Sequence, residues 1–455
     1  MGHLAAHIND AGILVLGESR VLYREPGFAL LEDDELTTGN AALLQAKVKP
    51  RRIQNQYWAN LSTKPLPDQR FEHLSAADLV SRQLEQIWTR VAGADDQLFI
   101  AVPAYMRAEN LGLLLGIAAE LNVPIVGMVD AAVAATRREY KGAVPVHVDL
   151  SLHSALLTRI AQAGQAQVDR AEVIDECGLI ALRDVWIALI AEAFVQQSRF
   201  DPLHTAETEQ VLQNRLQTWL AAASAGDRVA LDIEYRGITH KAEIESLELV
   251  AAAAPIYHRI VSSLRALYRA DETPALQLSD RASRMPGLAD ILSARVGGEL
   301  FLQEPGATAR GLLSRCGGLQ RGDKAVSLLR QLPWDQAPVE LQAAAVAGRG
   351  GQPTHVLFDN TAYSIGTQAL TLGSRHADGG RSIELQQDMP GVSRRHCSLE
   401  LENGQCIVRD YSRYGTFLNG HRIDGSAVLQ VGDLIRLGTP GYELRLIKTE
   451  TGDGA

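Results

Sequence analysis

The sequence predicts a large α/β domain followed by a smaller all-β sandwich, and three observations support this order. From about residue 8 to about residue 330, helical periodicity alternates with apolar strand-like runs such as ILVLG, QLFIAVPA, VPIVGMV and VPVHVDL, as in α/β proteins. Residues 331–353 are rich in proline, alanine and glycine and predict a linker. Residues 354–449 contain short strands and glycine-marked turns, which favour a β-sandwich. The predicted domains are therefore 1–330 and 354–449.

The composition narrows the class of protein. Of the 455 residues, 46% are hydrophobic and 22% are charged, enough to build a sizeable core. A formal net charge of -10 argues against nucleic acid as a partner, because phosphate contacts need a basic surface. The four cysteines are too scattered for a disulfide framework or a zinc site, and MGHLAAHIND lacks the features of a signal peptide. We therefore expect a cytoplasmic protein with no membrane partner.

The elements of the large domain can be placed in order. SAADLVSRQLEQIWTRVAG has apolar residues three and four apart, which predicts an amphipathic helix. LGLLLGIAAELNVPIVGMVDAAVAA is interrupted by Glu120, Asn122, Pro124 and Asp130, so it predicts a helix, a strand and a helix rather than a membrane span. A long helical stretch runs from Leu182 into the 220s, and the strand-like RVALDIEYRGITHKAEI follows. No internal repeat of fixed period is evident.

Several motifs in residues 1–330 resemble the DnaK-type chaperone and actin-like ATPase superfamily. Val102-Pro103-Ala104 opens one of them, and Asp130 begins DAAVAA where the family has Glu-Pro-Thr-Ala-Ala-Ala. Ser283-Arg284-Met285-Pro286 matches the family's Ser/Thr-Arg-Ile-Pro. The resemblance implies a two-lobed α/β fold of the actin-like ATPase type, whose loops bind ATP with Mg²⁺.

The loops that would hold the nucleotide depart from the family's pattern. The first phosphate loop, Asp-x-Gly-Thr-Thr/Ser, is here DAGIL from Asp10 with Gly12, and the second, Asp-Leu-Gly-Gly-Gly-Thr, is DLSLHS from Asp149. Glycines bring backbone N–H groups close to phosphate oxygens, whereas Leu152 and His153 place side chains there. The adenosine-side Gly-Gly is replaced by Asp280-Arg281, and the carboxylate that positions the attacking water is shortened from Glu to Asp130.

We therefore interpret these positions as a vestigial nucleotide site. It comprises five residues that keep the family's residue types or positions: Asp10, Gly12, Asp130, Asp149 and Arg284. We expect no catalytic residue, no metal site and no cofactor, with ATP and Mg²⁺ disfavoured.

The C-terminal block carries residues suited to binding a phosphate. Arginines fall in its predicted loops at positions 375, 381, 394, 395 and 413, and the loops at one end of a sandwich converge. The arginine fork matches phosphate oxygens with charge-assisted hydrogen bonds.

The same block resembles the forkhead-associated (FHA) domain, an eleven-stranded β-sandwich that binds phosphothreonine peptides. The resemblance rests on Ser393-x-x-His396, on DYSRYGTFLNG from Asp410 to Gly420, and on the closing residues Leu429, Gly432-Asp433, Ile435 and Leu437-Gly438. It implies a phosphopeptide site formed by Arg375, Ser393, Arg394, Arg413, Tyr414 and Asn419. In that family His396, Gly415, Thr416 and Asn419 mainly hold the loops in shape.

One position departs from the family. The family's main phosphate ligand is the arginine of a Gly-Arg pair, whereas here Gly373-Ser374-Arg375 places the arginine one residue late. A loop can absorb the extra residue, but along a strand a slip of one reverses the direction of the side chain. Arg375 is therefore predicted as a phosphate ligand only if it lies in a loop.

These motifs predict a non-enzymatic adaptor: the FHA domain would bind a phosphothreonine-containing protein marked by a Ser/Thr kinase, and the DnaK-like domain would serve as a docking scaffold. An alternative is a nucleotide-dependent ATPase or chaperone-like switch regulated by phosphopeptide binding, which rests on Asp10, Gly12, Asp149 and Arg284. A third is a filament component, because actin-like folds can polymerise.

Overall fold

Helices and strands alternate in the N-terminal part of the chain, and strands predominate in the C-terminal part. The structure, a computed structural model, describes residues 2–17, 20–32, 35–93, 95–224, 226–319, 326–335, 352–358, 361–375, 380–385, 392–402, 404–413, 415–418, 421–423, 425–431, 433–437 and 442–447. The chain divides into two units, residues 1–337 and 338–455.

We call residues 2–135 of the N-terminal unit its first lobe and residues 144–319 its second lobe, after the main sheet to which each contributes most strands. The strands of the first lobe are β1 His3–His7, β2 Ile13–Gly17, β3 Arg20–Glu25, β4 Ala29–Glu32, β5 Glu35–Thr38, β6 Ile53–Gln54, β7 Gln97–Val102 and β8 Ile125–Asp130. Its helices are α1 Asn40–Leu43, α2 Ala76–Val91, α3 Ala108–Glu120 and α4 Ala131–Ala135, with 3-10 turns at Pro50–Arg52 and Gln69–Phe71.

Helix α2 is the predicted amphipathic helix. Ser75 caps it, because its hydroxyl accepts from the Asp78 amide while the Asp78 carboxylate accepts from the Ser75 amide at 2.7 Å. Leu79, Leu84 and Ile87 on one face are buried. The predicted helix, strand and helix over residues 111–135 are confirmed as α3, β8 and α4.

The second lobe has a similar plan with longer helices. Its strands are β9 Val144–Leu150, β10 Ser154–Gln162, β11 Gln165–Asp175, β12 Arg228–Tyr235, β13 Ile238–Glu245, β14 Pro274–Leu278 and β15 Glu299–Leu302. Its helices are α5 Leu179–Ser198, α6 Ala206–Ala223, α7 Ser246–Leu267, α8 Asp280–Ser283, α9 Leu288–Val296 and α10 Ala307–Leu313, with a 3-10 turn at Cys316–Gly318. Two short strands follow, β16 Leu328–Leu329 and β17 Gln331–Pro333.

The main sheets of the two lobes share an arrangement of five strands, and each has a sixth strand at the opposite edge: β16 beside β8 in the first and β17 beside β11 in the second. The first has the order β16-β8-β7-β1-β2-β3 and the second the order β15-β14-β9-β10-β11-β17. In each, an opening strand (β1 or β9) pairs antiparallel with the next strand and parallel with a later one. The turns β1–β2 and β9–β10 therefore occupy equivalent places in the two lobes, and these turns carry the two predicted phosphate loops.

Helices α4 and α10 cross between the lobes at close range. A Cβ on Gly311 would lie 2.0 Å from the Ala134 carbonyl oxygen, so only glycine permits this approach. The buried Arg315 guanidinium then donates to the Gly311 carbonyl at 2.7 Å and to the Thr136 carbonyl at 3.2 Å. The second of these bonds satisfies a carbonyl group at the end of α4, and the first one a carbonyl group within α10.

The N-terminal unit continues past the predicted domain end at residue 330. Strand β17 pairs antiparallel with β11, and Asp335 forms an ion pair with Arg137 at 2.7 Å. The first residues of the predicted linker 331–353 are thus an edge strand of this unit.

The C-terminal unit consists of two sheets around one core. Its strands are β18 His355–Phe358, β19 Thr361–Ser364, β20 Leu370–Gly373, β21 Arg381–Glu384, β22 Cys397–Glu402, β23 Gln405–Asp410, β24 Thr416–Leu418, β25 His421–Arg422, β26 Ser426–Val428, β27 Leu434–Leu437 and β28 Tyr442–Ile447. The sheet orders are β19-β18-β28-β27-β24-β25 and β21-β20-β22-β23-β26. Val356 and Leu444 of one sheet share a cluster with Leu370 and Val408 of the other, consistent with the predicted all-β sandwich.

Within the described ranges, no helix is both long enough and apolar enough to cross a membrane.

Candidate functional site

Three loops at one end of the C-terminal sandwich carry the predicted phosphate ligands. The segment after β20 runs beside the segment before β22, because the Ser374 amide donates to the Ser393 carbonyl at 3.1 Å and the Arg375 amide to the Arg394 carbonyl at 3.3 Å. Arg375 follows the end of β20 at Gly373, so it lies in a loop and not within a strand. The backbones of Arg375, Ser393 and Arg394 are therefore adjacent, as the resemblance implied.

Gly373 makes this proximity possible. A Cβ at this position would lie 2.1 Å from the Arg394 carbonyl oxygen, closer than any real contact. The glycine that precedes the displaced arginine thus sets the distance between the two loops.

The third loop, between β23 and β24, reaches the same place. The Arg413 amide donates to the Ser393 hydroxyl oxygen at 3.2 Å, which leaves the hydroxyl hydrogen of this half-buried serine for another acceptor. The Asp410 carboxylate shapes the loop by accepting from the amides of Ser412 and Thr416 and from the Thr416 hydroxyl, at 2.9, 3.2 and 2.8 Å. Burial alone would raise the pKa of Asp410, but these hydrogen bonds outweigh it and lower the pKa.

His396 braces the second and third loops from inside. It is fully buried, its Nδ1 accepts from the Ser393 amide at 3.1 Å, and its Nε2 lies 3.2 Å from the Gly415 carbonyl oxygen. This pattern assigns the neutral ring with its proton on Nε2, which donates to Gly415. Burial lowers the pKa of His396, which keeps the ring neutral. Its position fits the shape-holding role that the resemblance implied.

The arginines of these loops differ in what they contact. Arg381 donates to the backbone and side chain of Ser364, and Arg395 lies over the Tyr411 ring at 4.0 Å. Arg375 and Arg394 are exposed, and in the part of the chain that the structure describes their guanidinium groups make no hydrogen bond or ion pair. The backbones of two exposed arginines, whose side chains have no partner among the described residues, therefore lie beside Ser393. The predicted ligands Tyr414 and Asn419 lie outside the described residues.

In the N-terminal unit, the two predicted phosphate loops contact each other directly. The Asp10 carboxylate accepts from the Leu152 amide at 2.8 Å, and the Asp149 carboxylate accepts from the Asn9 side-chain amide at 2.8 Å. Both aspartates are buried. Burial raises the pKa of Asp10 to about 6, and its Oδ2 has no hydrogen-bond partner among the described residues.

Arg281 bridges the same loops. Its guanidinium donates to the Asp149 carboxylate at 3.3 Å and to the Gly12 carbonyl at 3.4 Å. Burial alone would raise the pKa of Asp149, but the charges of Arg281, His7 and His147 outweigh it and lower the pKa. The charge of the Asp149 carboxylate is therefore offset by a cation of the chain itself.

Leu152 belongs to the second predicted phosphate loop. Its side chain is fully buried in a cluster with Phe28, Leu30, Ala42 and Ala46 of the first lobe. A cavity of about 30 Å³ remains next to Arg281 and His7. That space suits about two water molecules, whereas small-molecule sites commonly enclose about 300–1,000 Å³.

A larger surface depression, of about 430 Å³, lies beside His153 and Ser154 of the second loop. Its wall includes the carboxylates of Asp175, Glu176 and Asp184. Three carboxylates at one opening disfavour a phosphate group.

The remaining residues of the predicted nucleotide site have other contacts. Asp130 caps helix α4 by accepting from the amides of Ala132 and Val133 at 2.9 and 3.4 Å, and burial raises the pKa of its carboxyl group. Arg284 is exposed and pairs with Asp280 at 2.6 Å. Asp280 pairs with Arg24 as well, at 3.1 Å.

Sequence reasoning missed Asn9 and the position of Arg281. Asn9 precedes the first loop and bonds across 140 residues to Asp149, a contact for which no local pattern exists. Arg281 was visible as a replacement of glycine, and a cation at that place, opposite two retained aspartates, was the signal for an internal ion pair.

At the loop end of the C-terminal β-sandwich, exposed arginines lie in loops next to a serine that is held in place by hydrogen bonds. This arrangement is typical of domains that bind phosphorylated peptides. Residues 370–438 match the FHA domain family, which confirms an FHA domain at this place in the chain. FHA domains bind phosphothreonine-containing proteins, so this region implies phosphothreonine-dependent protein interaction.

One curated relative is similar over a short stretch. The kinesin-like protein Klp98A of Drosophila melanogaster is 33% identical over 78 residues, which is 17% of this chain. The chain spans 6% of the length of that relative. The FHA match lies within the C-terminal unit, so the actin-like interpretation of residues 1–330 remains a prediction.

Proposed function

We propose that this protein is a non-enzymatic adaptor whose FHA domain binds a phosphothreonine on a partner protein, after an upstream Ser/Thr kinase has added the phosphate. The observation that carries this proposal is the adjacency of the Arg375, Ser393 and Arg394 backbones, together with two exposed arginine side chains that make no hydrogen bond or ion pair to a described residue. A phosphate there would receive charge-assisted hydrogen bonds from groups that need not break existing bonds to make them. Arg413 approaches Ser393 through its backbone and adds a third candidate cation.

The N-terminal unit is, in this proposal, an actin-like ATPase fold that has become a docking scaffold. The five-strand order shared by the main sheets of its two lobes and the opposed turns that carry Asp10 and Asp149 support the fold assignment. The side chains at those turns do not fit ATP and Mg²⁺. Leu152 occupies the phosphate loop, and Arg281 already neutralises Asp149. No catalytic step is therefore proposed.

The test is a binding titration of the full chain with a degenerate pool of phosphothreonine peptides and with the same pool after dephosphorylation. We expect the phosphorylated pool to bind at least about a hundredfold more tightly, because two or more charge-assisted hydrogen bonds depend on the phosphate. Equal binding of the two pools would refute the adaptor proposal.

Single substitutions then locate the site. Ser393→Ala, Arg394→Ala and Arg375→Ala should each weaken binding by about tenfold or more. Arg409→Ala is the matched control, since this arginine of the same unit is engaged by Glu400 and Glu402. If Arg375→Ala behaves like Arg409→Ala, the displaced arginine does not contact the phosphate.

A further inference from the structure

Polar contacts join the two lobes of the N-terminal unit at the turns that carry the two predicted phosphate loops. Asn9 donates to Asp149 at 2.8 Å and to the Leu150 carbonyl at 3.2 Å. Arg281, which belongs to the second lobe, reaches the Gly12 carbonyl of the first lobe while keeping its ion pair with Asp149. One arginine thus ties both phosphate-loop turns together.

An apolar contact joins the same turns. Leu152 leaves its own lobe and packs among Phe28, Leu30, Ala42 and Ala46 of the first lobe with no exposed surface. Separating the lobes would return this side chain to water and would remove the half-buried Arg281 from the Gly12 carbonyl. Both changes cost free energy, and the first scales with the apolar area exposed.

Other contacts also join the two lobes. Arg24 pairs with Asp280 at 3.1 Å. The Lys47 amide donates to the Gln210 side chain at 2.7 Å, and the Lys47 ammonium pairs with Glu209 at 2.9 Å. Contacts between the two lobes are therefore found both at the predicted phosphate-loop turns and away from them, at Arg24 and Lys47.

We propose that Leu152 and Arg281 form a built-in clasp that holds the two lobes closed in place of a bound nucleotide. In a nucleotide-dependent two-lobed protein, the ligand closes the cleft because it binds the closed state better than the open one. Here the chain itself supplies both the cation and the filling group, so no ligand is needed for closure. The inference deepens the scaffold part of the proposed function and rests on it, whereas it does not rest on phosphopeptide binding.

The test is hydrogen–deuterium exchange of the full chain at the Leu152 amide, which bonds to Asp10 across the cleft, and at the Ile180 amide, which bonds to the Leu152 carbonyl. In the unmodified chain we expect both amides to be protected equally with and without millimolar Mg-ATP. In the double variant Leu152→Ala/Arg281→Ala, we expect their exchange to be at least about tenfold faster, and faster than that of amides in the central strands β9 and β14, which follows the loss of global stability.

Two matched changes control for the loss of a leucine and an arginine elsewhere. Leu247→Ala and Arg228→Ala remove exposed side chains of the same lobe and should leave cleft exchange unchanged. If the double variant does not fold, Arg281→Lys keeps the charge but loses the two-point fork, and it should also speed exchange at Leu152.

Two outcomes would overturn the clasp: slower exchange at Leu152 when Mg-ATP is added to the unmodified chain, or unchanged exchange in the folded variants. The phosphothreonine pool is titrated into every variant in parallel. Unaltered phosphopeptide affinity with a failed exchange result rejects the clasp alone, whereas an unmodified chain that does not bind the pool rejects the adaptor proposal and leaves the exchange result standing.

Discussion

Both the loops of the C-terminal unit and the predicted phosphate-loop turns of the N-terminal unit carry arginine near a predicted phosphate position. The two regions differ in whether the arginine side chain is already paired with a carboxylate. Arg375 and Arg394 are exposed and make no side-chain bond in the described part of the chain, whereas Arg281 has 13% of its side chain exposed and is paired with Asp149. A guanidinium that is already paired with a carboxylate has its charge largely offset, so it attracts a further anion less strongly than an unpaired one does. The residue type alone therefore does not mark a phosphate site, and the state of its donors does.

The largest expected effect comes from a steric change at the loops of the C-terminal unit. Gly373→Ala places a methyl group against the Arg394 carbonyl, so the two loops must separate. We expect destabilisation by about 4 kcal/mol and loss of at least about a hundredfold in phosphothreonine-peptide affinity. Calorimetric unfolding and peptide titration check both effects.

Gly380→Ala is the control for that change, because a Cβ at Gly380 meets no atom within 4 Å. If both alanine variants melt and bind alike, Gly373 does not set the spacing of the loops.

Truncating Leu152 tests the predicted phosphate-loop turns of the N-terminal unit. Leu152→Ala should lower the free energy of unfolding by about 3 kcal/mol, because it leaves a cavity in a buried cluster. Phosphopeptide affinity should not change. Denaturant titration of the full chain measures the loss, with Leu247→Ala, 75% exposed, as the comparison that stays within about 0.5 kcal/mol. A loss of similar size in the two variants would show that Leu152 is not a core residue.

Acidification should weaken the C-terminal loops through His396. Its folded-state pKa lies below the ordinary value of 6.5, so the unfolded chain binds the proton more readily. Stability from the neutral ring is complete above about pH 6.5 and is lost as the pH falls below it, by at most about 1.4 kcal/mol per pH unit.

Calorimetric unfolding between pH 8 and pH 5, compared with His396→Asn, isolates this contribution. The unmodified chain should lose more stability than the variant over that range. An identical pH dependence in the two chains would exclude His396 as the responsible group.

The smallest expected effect is the response to nucleotide. A ligand at a hundred times its dissociation constant stabilises a fold by about 2.7 kcal/mol, which is readily detected. With millimolar Mg-ATP we expect no shift in the unfolding temperature, because Leu152 and Arg281 fill the loops. A clear shift would favour the alternative of a nucleotide-dependent switch.

Local patterns in the sequence predicted a large part of the fold. The amphipathic helix α2 follows from its apolar spacing, and the FHA domain follows from motifs that occur together at fixed distances. The convergence of loops at one end of a sandwich predicts that Arg375 and Arg394 lie near each other, and the resemblance to the FHA family adds Ser393 to this group.

Other features depend on contacts between distant residues and were not predictable in this way. The two main sheets share an order of five strands although the sequence has no repeat of fixed period, since a sheet order constrains only which positions are apolar. The Asn9–Asp149 bond and the Arg281 bridge join residues 140 and 132 positions apart, and nothing near either partner announces the other.

The burial of Leu152 has a consequence for how this protein can change over generations. In the proposed descent from a nucleotide-binding fold, a return of glycine at position 152 would first remove a core side chain and lower stability by about 3 kcal/mol. The benefit of a restored phosphate loop would appear only after Arg281 had also been replaced. A single reversion at position 152 is thus disadvantageous alone, and the predicted nucleotide site could return only through two changes together. Substitutions on the outer surface of the unit do not face this constraint.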